Sequence, residues 1–541
     1  MNEKSTIKLL VIPVLFIFVL SNCITVYGIN LTDKSKDNIS YIEKSFELDF
    51  SFSYPDIAEQ YGYNVIRVKE TNHNRIIMFD YNTQYPVLPV NLSVFKLPFG
   101  SEIIDVNYEN SSTIFFDLER KLSYGKGNFD SIKPINYRIP DYDSLYDDFD
   151  VYPNDWVLYH TGGGLSYAKR VSFFVLRVYP VRYYPDENQI GFISNITINV
   201  RYTEPEEPLI DEEEKSDLLI ISPNKYKNPL KRLVSFKNNN GVKTQYISTE
   251  EIYNNELLEG RDEQEKIKYF IKDSIEKWNI THVLLVGGLN GQNIKWDLPI
   301  RYSYVVPTEE QEYPEQRFVS DLYYADIYDS IGNFSSWDSN NDGKFSVWNG
   351  DFKEEMDLYP DVYLGRIACR NKKEVKIMVK KIINYEKNEV SDTNWFKNIL
   401  LVAGDSYVNH GQWPEGEVVI EGEIACDESL EKLPGFNPLK VYSSNEDING
   451  NTVNNKFNIG AGFAYFCGHG SRVSWSTHFP DPVNESSNWT TRYHVTDMIP
   501  LRNREKQPVT VVGGCHNGEF DKTVFMNILE GIRNQGIQYF F

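Results

Sequence analysis

The spacing of apolar positions changes character near residue 205. Between about residues 40 and 205, apolar and aromatic residues alternate with polar ones in runs such as 63–70 (YNVIRVKE), 172–185 (SFFVLRVYPVRYYP) and 193–202 (ISNITINVRY). Glycine, proline and asparagine turns separate these runs. Period-two alternation is the pattern of strands with one buried face. No helical spacing interrupts it, so residues 40–205 are predicted to form an all-β sandwich. Residues 206–216 then form an acidic, proline-containing linker that offers little apolar surface to bury. Beyond it, short continuous apolar runs alternate with segments of helical period. Residues 217–222 (DLLIIS), 243–248 (KTQYIS), 281–288 (THVLLVGG) and 361–367 (DVYLGRI) read as buried strands. Residues 229–239, 263–278 and 374–387 read as helices. A second set begins at 398–405 (NILLVAGD) and continues through 439–444, 463–467 and 508–514. Strand–helix alternation of this kind predicts parallel sheets covered on both faces. The expected organisation is therefore an α/β fold of two side-by-side subdomains, 217–391 and 392–541, after the β region.

Two of these runs end in chemistry. Residues 460–475 (GAGFAYFCGHGSRVSW) stop at a glycine turn carrying His469, and 508–520 (PVTVVGGCHNGEF) stop at one carrying Cys515. Adjacent parallel strands ending this way deliver an imidazole and a thiol to the carboxyl edge of one sheet, where open α/β sheets bind ligands. A thiol becomes a nucleophile as its thiolate, and an imidazole is the usual proton acceptor. The pattern points to a cysteine hydrolase with Cys515 as nucleophile and His469 as general base. The plainer readings are a small buried cysteine and a turn histidine. His516 competes for the base role, but side chains alternate along extended backbone, which directs it away from Cys515.

At 541 residues the chain is long enough for several cores. Its formal charge of -22 repels phosphate backbones and argues against a nucleic-acid partner. Lys4 and Lys8 precede an apolar run over 9–20, so residues 1–28 read as a secretory signal peptide, and the chain is expected to be secreted or at a cell surface. The four cysteines beyond that region, Cys369, Cys426, Cys467 and Cys515, have no paired spacing, which excludes a disulfide scaffold and a zinc site. Residues 338–351 (DSNNDGKFSVWNGD) resemble a calcium loop. Asp338, Asn340, Asp342, Lys344 (through its carbonyl) and Asn349 fall at the ligand positions, with Gly343 at the sharp turn. No flanking helices are evident, so a structural Ca²⁺ ion is expected without a full EF-hand; a bare Asn/Gly-rich turn is the alternative.

On the GHGS turn followed by Trp475, on Cys515-HNGEF and on 361–367, the chain resembles the gingipain-type (C25) cysteine peptidases, which have a caspase-like fold. Residues 320–326 (SDLYYAD) carry the resemblance too, and 85–100 (YPVLPVNLSVFKLPFG) resemble the family's pro-domain. The resemblance implies a zymogen in which the β region covers the site as an intramolecular inhibitor, acting afterwards on protein or peptide substrates. It implies oxyanion donors at the backbone N–H groups of Gly470 and Cys515, and an acid at Asp405 to orient the imidazole. Asp405 reads equally as a helix cap or a loop acid. Arginine-cleaving members carry an acid where Val419 stands here, with Glu415, Glu417 and Glu421 nearby, so the side chain preferred before the scissile bond stays open. Family members also run past the point where this chain stops at Phe541, directly after a helix expected over 524–534. That end motivates a second expectation, a calcium-stabilised surface protein of peptidase descent without catalysis. A transpeptidase or ligase using the same dyad is a third.

Overall fold

The computed structural model describes residues 39–60, 63–72, 78–80, 85–122, 150–210, 215–290, 295–304, 317–347, 354–387, 393–406, 420–480 and 489–522. The signal segment, Asn349, Glu415, Glu417, Val419 and the helix expected over 524–534 lie outside the described residues. The N-terminal region is antiparallel. Tyr41–Ser51, Asn195–Pro205 and Glu102–Asn110 form one sheet. Met78–Asp80, Leu88–Pro98, Lys169–Val178 and Val157–Ser166 form another. Alternate residues of both, among them Phe50, Leu88, Phe174, Leu176, Ile196 and Ile198, bury together in one core. The alternation read in the sequence is thus the inward face of a packed β layer pair.

Two parallel four-stranded sheets with helices follow. The first contains β1 (Leu218–Ser222), β2 (Thr244–Ser248), β3 (His282–Val286) and β4 (Tyr363–Ile367), in spatial order β2-β1-β3-β4. Every residue of β1 is buried, as a strand covered on both faces requires. The helix Glu263–Trp278 (α1) begins at Asp262, whose side chain accepts the Glu265 N–H, and turns its Ile267, Phe270, Ile271 and Ile275 inward. The second sheet repeats the order with β5 (Asn398–Ala403), β6 (Asn437–Tyr442), β7 (Phe463–Cys467) and β8 (Val509–Gly513), as β6-β5-β7-β8. Its two faces sort by residue parity. Leu400 and Val402 pack with Val453 and Phe457 of the helix Gly450–Ile459 (α3). Ile399, Leu401 and Ala403 pack with Cys426 of the helix Glu421–Glu431 (α2).

The described chain resolves into two compact units. One holds residues up to Ile221 with Lys237–Leu285 and Ile300–Arg366; the other holds Ser222–Phe236, Val286–Pro299 and Ile367–Phe541. All the expected catalytic positions fall in the second unit. Within the first, the β region packs on the segment 357–361 through Gly162, Gly163 and Gly164. A methyl group at Gly162 would strike the Tyr359 ring, and one at Gly163 the Asp329 carbonyl. Leu165 N–H donates to the Pro360 carbonyl at 2.8 Å, and the partly buried Arg170 donates to the carbonyls of Ile280 and Asp361.

Candidate active site

β7 and β8 are parallel neighbours with Cys467 opposite Gly513, and the pairing extends one step further through Gly468 N–H to the Gly513 carbonyl at 3.2 Å. His469 and Cys515 each lie two residues beyond that last matched pair, so both leave the sheet at the same edge and level. Past it the two turns touch. A Cβ on Gly514 would stand 3.0 Å from Gly470 Cα and 3.1 Å from Gly470 N, and one on Gly470 would stand 2.7 Å from the Gly514 carbonyl carbon. Only glycine permits that approach.

Side chains fasten this contact. Asn517 Nδ2 donates to the Ser471 carbonyl at 2.8 Å and to the Ser474 carbonyl at 3.1 Å, joining the cysteine turn to the histidine turn. Its Oδ1 lies over both glycines, where any Cβ would collide. Arg472 Nε donates to Glu519 Oε2 at 2.6 Å, and the other oxygen of Glu519 bonds His516 Nδ1. Burial alone would raise the Glu519 carboxyl, but Arg472 and His516 outweigh it and hold the group below its usual range. His516 is therefore engaged with Glu519, three residues along its own turn. Beneath the turns, Trp475 is buried and its Nε1 donates to the Gly513 carbonyl at 3.0 Å.

The imidazole of His469 is held from β5. Its Nε2 lies 2.5 Å from the Ser406 carbonyl oxygen. A carbonyl only accepts, so Nε2 is the donor in this bond, and Nδ1 is the ring nitrogen left to take up a proton. The Ser406 carbonyl is in turn placed by a pinned main chain. Asp405 N–H donates to the His478 carbonyl at 3.2 Å, and the Asp405 carbonyl accepts His478 N–H at 2.9 Å and Thr477 Oγ1 at 2.7 Å. Asp405 itself is buried, Cys515 is exposed and a free thiol, and His469 is half-buried. Two aromatic rings flank the imidazole edge-on: His478 at 5.5 Å and Trp489 at 5.2 Å between centroids.

Sequence reasoning placed Cys515, His469, Gly470 and Asp405 on these elements. It missed Ser406, Asn517, Glu519, His478 and Trp489. The Asn517-Gly518 pair is a turn signal, which says nothing of what the Asn517 side chain bonds. A backbone carbonyl such as that of Ser406 has no signature at all.

The calcium loop lies in the other unit. Gly343 adopts φ +80, as the sharp turn needs. Asp338 Oδ1 and Asn340 Oδ1 both accept the Asp342 N–H at 3.0 Å, and Asp342 Oδ1 accepts the Lys344 N–H at 2.8 Å. These are the side-chain to main-chain bonds of an Asp/Asn-rich turn, which forms with or without an ion. Its charge is partly met by the protein itself, because Arg261 Nη1 donates to Asp338 Oδ2 at 2.6 Å. Among the described residues, no three His, Cys, Asp or Glu side chains converge as a metal cluster. An ion at Asp338 requires Arg261 to withdraw onto Glu265, which it already grips through Nε and Nη2.

Gingipain R2 of Porphyromonas gingivalis is 23% identical over 313 residues, covering 58% of this chain and 33% of the relative. Lys-gingipain of the same organism is 24% identical over 184 residues, covering 33% of this chain and 9% of the relative. The chain thus spans about a third of the length of the first of these relatives. Among solved structures, the Arg-specific cysteine proteinase gingipain R matches at 21% identity and TM-score 0.37, covering 57% of each chain. The complex of Porphyromonas gingivalis RgpB pro- and mature domains matches at 22% identity and TM-score 0.39, covering 57% of this chain and 58% of that one. The model of peptidase family C25 matches residues 211–532, more than half of the sequence, and the chain belongs to that family of cysteine peptidases.

Proposed function

We propose that this protein is an exported cysteine endopeptidase, made as a zymogen, in which Cys515 attacks the peptide carbonyl and His469 moves the protons. The observation that carries the reading is the clasp of the two turns by Asn517, with His469 held through Nε2 so that Nδ1 is left to accept a proton. In the reaction, Nδ1 takes the Sγ–H proton and the thiolate adds to the carbonyl carbon. Negative charge moves to the carbonyl oxygen, for which the Gly470 and Cys515 N–H groups are the donors. Gly470 faces Trp475 in the hairpin. The Ser471 N–H bond to the Ser474 carbonyl, one step along, makes 470–475 the pair without ladder bonds, so the Gly470 N–H points away from its partner strand. Collapse breaks the C–N bond, and the imidazolium gives its proton to the departing amine. Water, deprotonated by the same imidazole, then hydrolyses the thioester. Asp405, expected as the acid that orients the imidazole, stands next to Ser406, whose carbonyl meets Nε2, and its contribution is made through the main chain that holds this carbonyl in place.

The β region, residues 40–205, acts as an intramolecular inhibitor, protein and peptide chains are the substrates, and the protein works outside the cell or at its surface. Among the described residues no helix is long and apolar enough to cross a membrane. A structural Ca²⁺ ion at the Asp338 loop would brace the other unit. The deciding experiment is turnover of a peptide library by the full chain after the linker is cut. Cleavage that disappears in Cys515→Ala supports the reading. Cleavage that persists in that variant, or none in the wild type, overturns it.

A further inference from the structure

Trp489 is nearly half exposed, at 47%, although it sits beside the site's imidazole. Its position is built. The main chain at 489 bridges His478 antiparallel, and Thr490 N–H donates to the Thr477 carbonyl at 2.9 Å while Thr490 Oγ1 donates to the same oxygen at 3.0 Å. The indole lies against the His478 ring with 3.7 Å between centroids at an interplanar angle of 41°, and stands edge-on to His469. His478 is buried and its pKa falls to about 4, first through burial and then through the neighbouring His469, so the support beneath the indole is uncharged near neutrality. An exposed indole on a rigid neutral base is an apolar surface held ready for a ligand.

The chemistry of peptide cleavage says which part of a substrate it meets. The imidazole must face the nitrogen that leaves, because it protonates that nitrogen as the bond breaks. A ring flanking His469 therefore flanks the residue that follows the scissile bond. We propose that Trp489, seated on His478, is the wall of the leaving-side subsite and selects a large apolar or aromatic residue immediately after the cleaved bond. This rests on the peptidase reading above and extends it to substrate choice. Small or acidic residues there leave the indole uncovered and gain nothing from it.

The test remakes one peptide that the wild type cleaves, with Phe, Leu, Gly or Asp after the scissile bond, alongside the methyl ester of the same acyl half, which has no side chain on that side. The expected result is a kcat/KM for Phe and Leu roughly three- to tenfold above Gly, the range of one aromatic contact. Trp489→Ala abolishes that preference, with a larger loss for the Phe and Leu peptides than for the Gly peptide or the ester, and Trp489→Phe keeps the preference. Equal losses for every peptide and for the ester in Trp489→Ala would mean that the indole only steadies His469, and would overturn the subsite. A wild type indifferent to the residue after the bond overturns the subsite alone. A wild type that cleaves nothing overturns the peptidase reading, and the subsite with it.

Discussion

The candidate site is held together by single side chains. Asn517 spans from one turn to the other with two hydrogen bonds, and its oxygen fills the space that Gly470 and Gly514 leave. Asn517→Ala is expected to cost about 1–3 kcal/mol of stability. Because placement of reacting groups is worth far more than contact energy, turnover should fall further than stability, on the order of 10²-fold. Thermal melts and kcat measured on the same samples separate the two effects. Arg261 is the second residue with a sharp expectation. It and a calcium ion compete for Asp338, so calcium should raise the melting temperature of Arg261→Gln more than that of the wild type. An equal shift in both would place the ion elsewhere. At this scale the sequence was half legible. His469 and Cys515 stood out because each ends an apolar run at glycines. Ser406 and Asn517 did not, because their partners lie 63, 46 and 43 positions away and only folding pairs them.

Strands and long helices were legible because period and length agree. The helix expected over 263–278 is Glu263–Trp278, and the run at 463–467 is a strand with those bounds. The helices Glu421–Glu431 and Gly450–Ile459 were missed, being short, with Gly at or next to the start of each and four Asn within the second. The strand expected from residue 361 begins instead at Tyr363. Asp361 is drawn aside because its buried carboxylate accepts the N–H groups of Ile327 and Tyr328 at 2.7 and 2.8 Å. The three consecutive glycines at 162–164 are explained only by what lies over them, Tyr359, Asp329 and Pro360. Gly163→Ala should therefore destabilise the protein by about 1–3 kcal/mol, the cost of forcing a methyl into a packed contact. A denaturant midpoint unchanged in this variant would mean that the β region does not bear on that carbonyl.

Over the whole molecule, the contact between the β region and the segment 357–361 should depend on pH. Burial, with neighbouring Asp326 adding to it, pushes the Asp357 carboxyl up to about 7, against the opposing N–H bonds from Tyr359 and Gly163. A carboxyl whose folded pKa is raised contributes stability below its ordinary range near about 4 and loses it as pH rises through about 7. Melting temperature should thus decline between about pH 4 and about pH 7, and Asp357→Asn should flatten the decline. The same slope in both proteins would show that another group titrates. If the β region also restrains catalysis, cutting an engineered protease site within residues 206–216 should raise turnover, whereas equal activity before and after the cut would count against restraint. Beneath the proposed activity lies the pairing of one thiol with one imidazole, and the rate at which iodoacetamide alkylates Cys515 near neutral pH tests it most directly. The account predicts that His469→Ala slows this alkylation by about tenfold or more. An unchanged rate in a folded variant would contradict it.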